Sequence, residues 1–308
     1  MSITPTKKIW MDGTLVDWPD AKVHVLSHTL HYGTGAFEGI RAYKTPNGVA
    51  IFRLKEHMER LLRSCKILMI DVPYSASELC EAAKEIVRVN ELNDGCYIRP
   101  IVYLGYGEMG VNPMGAPVNT AIAAWAWGAY LGDEATLNGA RMKISSWSRH
   151  HPNSMPTASK TIGGYVNASL AKVEAIKAGY DEALMLGPDG RVSEGTGENL
   201  FLVSNGRLIT PPPSEAGALR GITLSSIVKI AEDLGYHVSF EALRRDDIYV
   251  ADEAFVTGTA VEVVPLSSVD DRLIGDGKPG PITKDIQTTF HQAVSGERPQ
   301  YEDWLTRV

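Results

Sequence analysis

Leu54, Met58, Leu61, Leu62, Cys65 and Leu68 recur at three- and four-residue spacing among Lys, Glu and Arg side chains, which predicts an amphipathic helix over residues 54–67. Such a stripe must be buried against a second layer, and the flanking sequence offers strands. Residues 9–18 alternate apolar and polar around Asp12-Gly13, a hairpin signal. A second strand pair is expected at 39–43 and 49–53, joined by Thr45-Pro46-Asn47-Gly48. A further helix is predicted over 77–92 with Ser77 as its cap, and 97–104 and 120–127 read as buried strands. The first 125 or so residues thus form an α+β unit.

Beyond Trp127 the strand pattern stops and small residues gather. The expected division is a smaller N-terminal α+β domain at 1–127, a connection at 128–136, and a larger C-terminal domain at 137–308. In the latter, 141–147, 182–186, 200–203, 207–210, 255–257 and 261–266 read as strands. Residues 165–178, ended by Gly179, and 223–234 and 283–295 read as helices.

The 308 residues are 44% hydrophobic and 22% charged, values of an ordinary globular chain. With 30 basic against 37 acidic side chains and a net charge of −7, a nucleic-acid or anionic-membrane surface is disfavoured as the main business. Cys65, Cys80 and Cys96 form no CxxC pair, which argues against a disulfide framework and a thiolate zinc site. Residues 1–10 carry two Lys and no long apolar run, so a cytoplasmic protein without a signal peptide or membrane anchor is expected. GxxxxGK[ST], HExxH and GxSxG are all missing from the sequence, which disfavours the best-marked phosphoryl-transfer, zinc-protease and esterase chemistries. His24, His28 and His31 are spaced as metal ligands on a helix would be, but Gly33 and Gly35 follow at once and 23–26 reads as a strand. Packed or hydrogen-bonded histidines are the favoured reading, with no metal.

Gly33-Thr34-Gly35-Ala36-Phe37-Glu38-Gly39 is not the dinucleotide fingerprint; its glycines serve either close approach to a ligand or a tight turn. Pro156-Thr157-Ala158-Ser159-Lys160-Thr161-Ile162-Gly163-Gly164-Tyr165 places one amine among small residues just before a helix. A loop lysine is usually solvated, but one held in a restricted site has a lowered pKa and can form a Schiff base with a carbonyl.

Five runs, in order and spanning nearly the whole chain, carry a resemblance. They are His31-Tyr32-Gly33-Thr34-Gly35-Ala36-Phe37-Glu38-Gly39-Ile40-Arg41, Tyr97-Ile98-Arg99-Pro100, Trp127-Gly128-Ala129-Tyr130, Ser193-Glu194-Gly195-Thr196-Gly197-Glu198-Asn199-Leu200-Phe201 and Gly258-Thr259-Ala260. With them the chain closely resembles the branched-chain amino acid aminotransferases, which use pyridoxal 5′-phosphate (PLP) and have the two-domain α+β, α/β architecture of fold type IV, like the D-amino acid aminotransferases. The resemblance implies reversible ping-pong transfer of an amino group between L-leucine, L-isoleucine or L-valine and 2-oxoglutarate.

By the same resemblance Lys160 is the catalytic residue, joined to PLP and moving the proton, and Glu194 pairs with the pyridine nitrogen. Arg60, the Gly221-Ile222-Thr223 helix start and Thr259 hold the phosphate; Tyr165 bonds the phenolic oxygen, and Gly195 and Gly197 allow close approach to the ring. Tyr32, Phe37, Gly39, Trp127, Tyr130, Met109 and Val111 form the substrate wall. Gly258, Thr259 and Ala260 bind the α-carboxylate, and Arg99 beside Tyr97 binds the glutamate side-chain carboxylate. Tyr32 and Val111 reach in from a neighbouring subunit, which implies at least a homodimer and leaves a hexamer built as a trimer of dimers open.

Two features depart from the pattern. Many relatives have Arg after Gly-Ile/Val-Thr where this chain has Leu224, and the 211–219 loop is idiosyncratic. The same fold carries D-amino acid aminotransferases and aminodeoxychorismate lyases; Tyr97, Arg99, Trp127 and Tyr130 favour the branched-chain L-enzyme. A non-catalytic binding protein is disfavoured while Lys160 and Glu194 are both present.

Overall fold

The computed structural model describes residues 3–128 and 130–308; Ala129, from the motif at 127–130, lies outside the described residues. The chain divides into two compact units, one of residues 1–127, 159–164 and 293–308, the other of 128–158 and 165–292.

In the first unit an eight-stranded sheet is built around strand Gly95–Leu104. Val118–Trp125 pairs along its length on one side. On the other side Ile40–Thr45 takes one half and Gly35–Phe37 the other, all antiparallel. The Lys8–Met11 and Thr14–Asp17 hairpin extends one edge, and Gly48–Phe52 followed by Leu305–Arg307 extends the other. Helix Leu54–Ile67 buries Leu54, Met58, Leu61 and Cys65, and helix Ala76–Val89 buries Leu79, Ala83 and Ile86, in one core with Ile40, Ile51, Ile98 and Ile122 from the sheet. Each fully buried aliphatic side chain contributes roughly 1.5–3 kcal/mol relative to exposure.

The second unit has a nine-stranded mixed sheet. Ala140–Ile144 runs parallel to Glu182–Leu186 on one side and to Glu262–Val269 on the other. Glu253–Gly258 joins Glu262–Val269 to Asn199–Ser204, antiparallel throughout. Val192–Gly195 closes the edge beside Glu182–Leu186, with a register shift between Val192 and Glu194. Helix Tyr165–Lys177 buries only Ala168, Ala171 and Ala175, small residues that let it lie close to Ala183 and Met185. Helix Ile222–Asp233 buries Ile227, Ile230 and Ala231.

Several expectations are corrected. The cap of the second helix is Ser75, not Ser77: Ser75 Oγ accepts the Glu78 N–H while Glu78 returns a bond to the Ser75 N–H, a reciprocal capping box. Residues 23–26 form a turn rather than a strand, followed by a one-turn helix, His28–Tyr32, that Gly33 ends with a left-handed φ of 70°. The 128–136 connection contains the start of helix Asp133–Asn138. Lys160 belongs to the first unit instead of a C-terminal body at 137–308, because its segment is tied there by backbone. The Phe37 N–H donates to the Lys160 carbonyl at 3.2 Å, the Ile162 N–H to Gly35 at 2.9 Å and the Gly163 N–H to Gly33 at 3.0 Å. With 293–308 also returned, the two units are nearly equal in length, not smaller and larger.

Candidate functional site

In the first unit the site grows from the Lys160 segment. Ser64, on the buried face of helix Leu54–Ile67, accepts the Lys160 N–H on its hydroxyl at 3.1 Å, and its carbonyl accepts the Ser159 hydroxyl at 3.2 Å. Ala36 and Thr161 form an antiparallel bridge. The backbone on both sides of Lys160 is therefore held, and the side chain is the part left to act. Its Nζ lies 5.1 Å from the Phe37 ring centroid, cation–π range.

Phe37 also receives the Arg99 guanidinium at 4.7 Å. Arg99 donates to the Tyr97 hydroxyl at 3.0 Å, and Tyr97 stacks on Trp127 with centroids 4.6 Å apart. Tyr97 and Arg99 share one face of the Gly95–Leu104 strand because its side chains alternate. Gly39 is required by this packing: a Cβ there would fall on the Tyr97 hydroxyl. Gly33 and Gly35 serve the same end, since a Cβ on Gly33 would meet Gly163 Cα at 2.8 Å and one on Gly35 would meet Ile162 Cδ1 at 2.7 Å. The glycine-rich run thus seats the Lys160 segment. Lys160, Phe37, Gly39, Tyr97, Arg99 and Trp127 come together in this unit.

Arg60, one turn before Ser64 on helix Leu54–Ile67, is buried. Its Nε and Nη2 donate to the Glu38 carboxylate at 2.6 and 2.9 Å, and His57 Nδ1 lies 2.8 Å from Glu38 Oε2. Burial alone would push the Glu38 carboxyl up, but the Arg60 guanidinium and the His57 ring hold it well below the usual carboxylate range. Burial pushes the His57 ring down, against the pull of Glu38. Sequence reasoning assigns no role to Glu38 or His57. His57 carries a readable signal, a titratable residue on the Leu54, Met58, Leu61 face that must be buried with its helix.

In the second unit Glu194 is the centre. The register shift after Val192 re-aims the edge strand and leaves the Glu194 carboxylate buried. Arg149 Nη2 meets Oε1 at 2.6 Å, the Leu219 N–H donates to Oε2 at 3.1 Å, and the Asn199 amide reaches Oε2 at 3.5 Å while donating to the Leu219 carbonyl at 3.2 Å. Gly221 caps helix Ile222–Asp233, whose first amides have no partner within the helix. Ile222 and Thr223 stand at that end, both buried, and a Cβ on Gly221 would strike Asn199 Oδ1. A Cβ on Gly258 would meet the Gly197 carbonyl at 3.1 Å, so the 195–197 and 258–260 turns are in contact, whereas above Gly197 itself there is open space. Glu194, Gly197, Ile222, Thr223 and Gly258 therefore form one neighbourhood, with Thr259 and Ala260 in the turn after strand Glu253–Gly258. Sequence reasoning misses Arg149 and Asn199; Asn199 stands in a motif quoted for its neighbours, and Arg149 follows a strand without local signal.

Tyr165 opens helix Tyr165–Lys177. Tyr130 is half-exposed with the Lys172 ammonium 5.4 Å from its ring centroid. Tyr32 packs on His28 with centroids 4.6 Å apart and is half-exposed, as is Met109, while Val111 is largely exposed. His28 Nε2 bonds the Gly110 carbonyl at 2.8 Å and His31 Nε2 the Val25 carbonyl at 3.0 Å. Among the described residues no group of three or more His, Cys, Asp or Glu could hold a metal ion, and no helix is long and apolar enough to cross a membrane.

Residues 35–269 match the family described as amino-transferase class IV. The chain belongs to that family. Within it, the chain belongs with the branched-chain-amino-acid aminotransferases: the enzyme of that name from Pseudomonas aeruginosa is 47% identical over 300 residues, 97% of each chain. The T.th. branched-chain amino acid aminotransferase with pyridoxamine 5′-phosphate superposes with a TM-score of 0.95 at 50% identity, covering 99% of both chains. The same enzyme complexed with N-(5′-phosphopyridoxyl)-L-glutamate gives 0.93 at 49% identity, covering 98% of both. The architecture is that of fold type IV.

Proposed function

We propose that this chain uses PLP to transfer the amino group reversibly between L-leucine, L-isoleucine or L-valine and 2-oxoglutarate, in a ping-pong cycle. One observation carries the two-substrate reading: beside Lys160, the apolar Phe37 ring and the Arg99 guanidinium are 4.7 Å apart. An aliphatic side chain is suited to the ring, and a second carboxylate is suited to the guanidinium through aligned, charge-assisted bonds. Similarity to an enzyme complexed with a phosphopyridoxyl-glutamate adduct supports the glutamate half.

The residues present fit the cofactor. Lys160 offers an amine to its aldehyde, Glu194 a carboxylate to its ring nitrogen, and Arg60, the Ile222 and Thr223 amides and Thr259 offer donors to its phosphate. Tyr165 offers a hydroxyl to the phenolic oxygen, and the open space above Gly197 leaves room for a flat ring. When bound, PLP supplies the electron sink that makes the substrate α-hydrogen acidic. The chain supplies the rest. Lys160 Nζ takes the proton from the substrate α-carbon and returns one in the reverse direction. Glu194, kept in place by Arg149 and the Leu219 N–H, holds positive charge opposite itself. The amides of the 258–260 turn orient the α-carboxylate, and Tyr32, Phe37, Trp127, Tyr130, Met109 and Val111 exclude water from the side chain.

The exposure of Val111, 88%, of Met109 two residues before it and of Tyr32 supports their burial by a second copy, hence a homodimer at least. Three free cysteines among the described residues support a cytoplasmic setting. Amino transfer to 2-oxoglutarate is to be compared for L-leucine, L-isoleucine, L-valine, L-phenylalanine and D-alanine. The three branched substrates are expected to lead; activity with D-alanine alone would move the chain to the sister specificity.

A further inference from the structure

The four residues from Gly195 to Glu198 link Glu194 to Asn199, and the turn they make is closed from inside. The Gly195 N–H donates to the Glu198 carbonyl at 2.7 Å. The Glu198 side chain then folds back, its Oε2 accepting the Gly197 N–H at 3.0 Å and filling the space where a Cβ on Gly195 would stand. Glu198 Cα lies 3.7 Å from where a Cβ on Gly258 would be, so the same residue backs the 258–260 turn. The turn's other residue, Thr196, donates to Glu182 Oε1 at 2.9 Å, and Glu182 Oε2 receives Lys172 Nζ at 2.7 Å, the ammonium that also lies over Tyr130. Glu182 and Glu198 are both buried.

We propose that Glu198 is a positioning residue for the transamination site: folded back over the 195–197 turn, its carboxyl sets the distance between the Glu194 carboxylate and the 258–260 turn. The proposal rests on the reading of the site given above for its functional consequence, but not for its physical one. The charged groups that face Glu198 are Glu182 from one strand, Lys172 from the neighbouring helix and Glu194, with its Arg149 partner, from the adjoining strand. Burial first, then Glu182, push the Glu198 carboxyl up to about 8, against the Gly197 N–H and Lys172. At neutral pH it is the un-ionised acid, which can hold the turn without adding charge beside Glu182 and Glu194.

The sign of the pH effect is then defined. The folded chain keeps a proton that the unfolded chain releases near 4.5, so this group costs stability progressively as pH rises from 4.5 to about 8, and no further beyond. Glu198→Gln keeps the shape and the acceptor without the ionisation. In the PLP-loaded protein, its thermal midpoint should exceed that of the wild type by an amount that grows from pH 5 to pH 8, on the order of 5 °C at the upper end. Glu198→Gln should keep kcat within about 3-fold, whereas Glu198→Ala should lose more than 10-fold in kcat, about 1.4 kcal/mol or more, with a smaller change in KM for L-leucine and a shifted pH titration of the visible cofactor band. Equal losses in both variants, or a midpoint difference that does not grow with pH, would overturn the proposal. If the wild type transfers no amino group while the midpoint difference between Glu198→Gln and the wild type still grows with pH, the transaminase reading falls and the placement of Glu198 stands.

Discussion

Glu38→Gln tests the buried cluster of Glu38, His57 and Arg60. Two N–H groups of Arg60, at 2.6 and 2.9 Å, and His57 Nδ1, at 2.8 Å, converge on the two Glu38 oxygens, with no solvent exposure. Glutamine matches the shape but is neutral, and its amide turns a donor toward one of the existing donors. Removing one partner of a buried ion pair costs about 3–5 kcal/mol, because the remaining charge stays buried. Against a total of about 5–15 kcal/mol for a folded protein, that is a large share. Urea unfolding followed by circular dichroism at pH 7 should show this loss as a lower midpoint with an unchanged slope. The pH dependence adds a second check. The folded pKa of Glu38 is depressed from 4.5, so its contribution is complete above 4.5 and fades as pH falls toward the folded value. The gap between wild type and Glu38→Gln should therefore narrow below pH 4.5. A loss under about 1 kcal/mol, the range of an exposed pair, or a gap that ignores acid, would refute the reasoning.

Other substitutions probe the site itself. Lys160→Ala should abolish all turnover and the lysine-dependent visible band of the PLP-loaded protein, while the cofactor-free chain keeps its unfolding midpoint; an unaltered spectrum would remove the lysine from its role. Arg99→Ala should lower kcat/KM for 2-oxoglutarate by about 30- to 1,000-fold, the loss of one bidentate, charge-assisted contact at about 2–4 kcal/mol, and far less for L-leucine; equal losses would make Arg99 structural. Gly39→Ala places a methyl on the Tyr97 hydroxyl and should displace the Tyr97 and Trp127 stack, seen as a changed near-ultraviolet dichroism together with weaker L-leucine binding.

What is legible in the sequence is local and periodic. Helix Leu54–Ile67 reads directly because its apolar spacing repeats through nearly four turns, and the Asp12-Gly13 turn marks its hairpin by chemistry alone. What is not legible depends on distant partners. Nothing near Lys160 says that its backbone bonds Phe37 and Ser64, so sequence reasoning assigns the lysine to the wrong unit. Ser75 and Ser77 are equally good caps by type; Glu78 three residues after Ser75 decides between them. Arg149, Asn199 and Glu198 show their places only when the Glu194 strand, the 219–223 segment and the 195–198 turn are folded together.

The most direct test separates the two halves of the reaction. The PLP-loaded protein is mixed with L-leucine and no oxo acid, and the visible band and released product are followed through a single turnover. The account predicts loss of the band with stoichiometric release of the branched 2-oxo acid. It further predicts recovery of the band, with stoichiometric L-glutamate, when 2-oxoglutarate is added afterwards. A band that stays unchanged with L-leucine alone, or product that forms only when both substrates are present together, would contradict it.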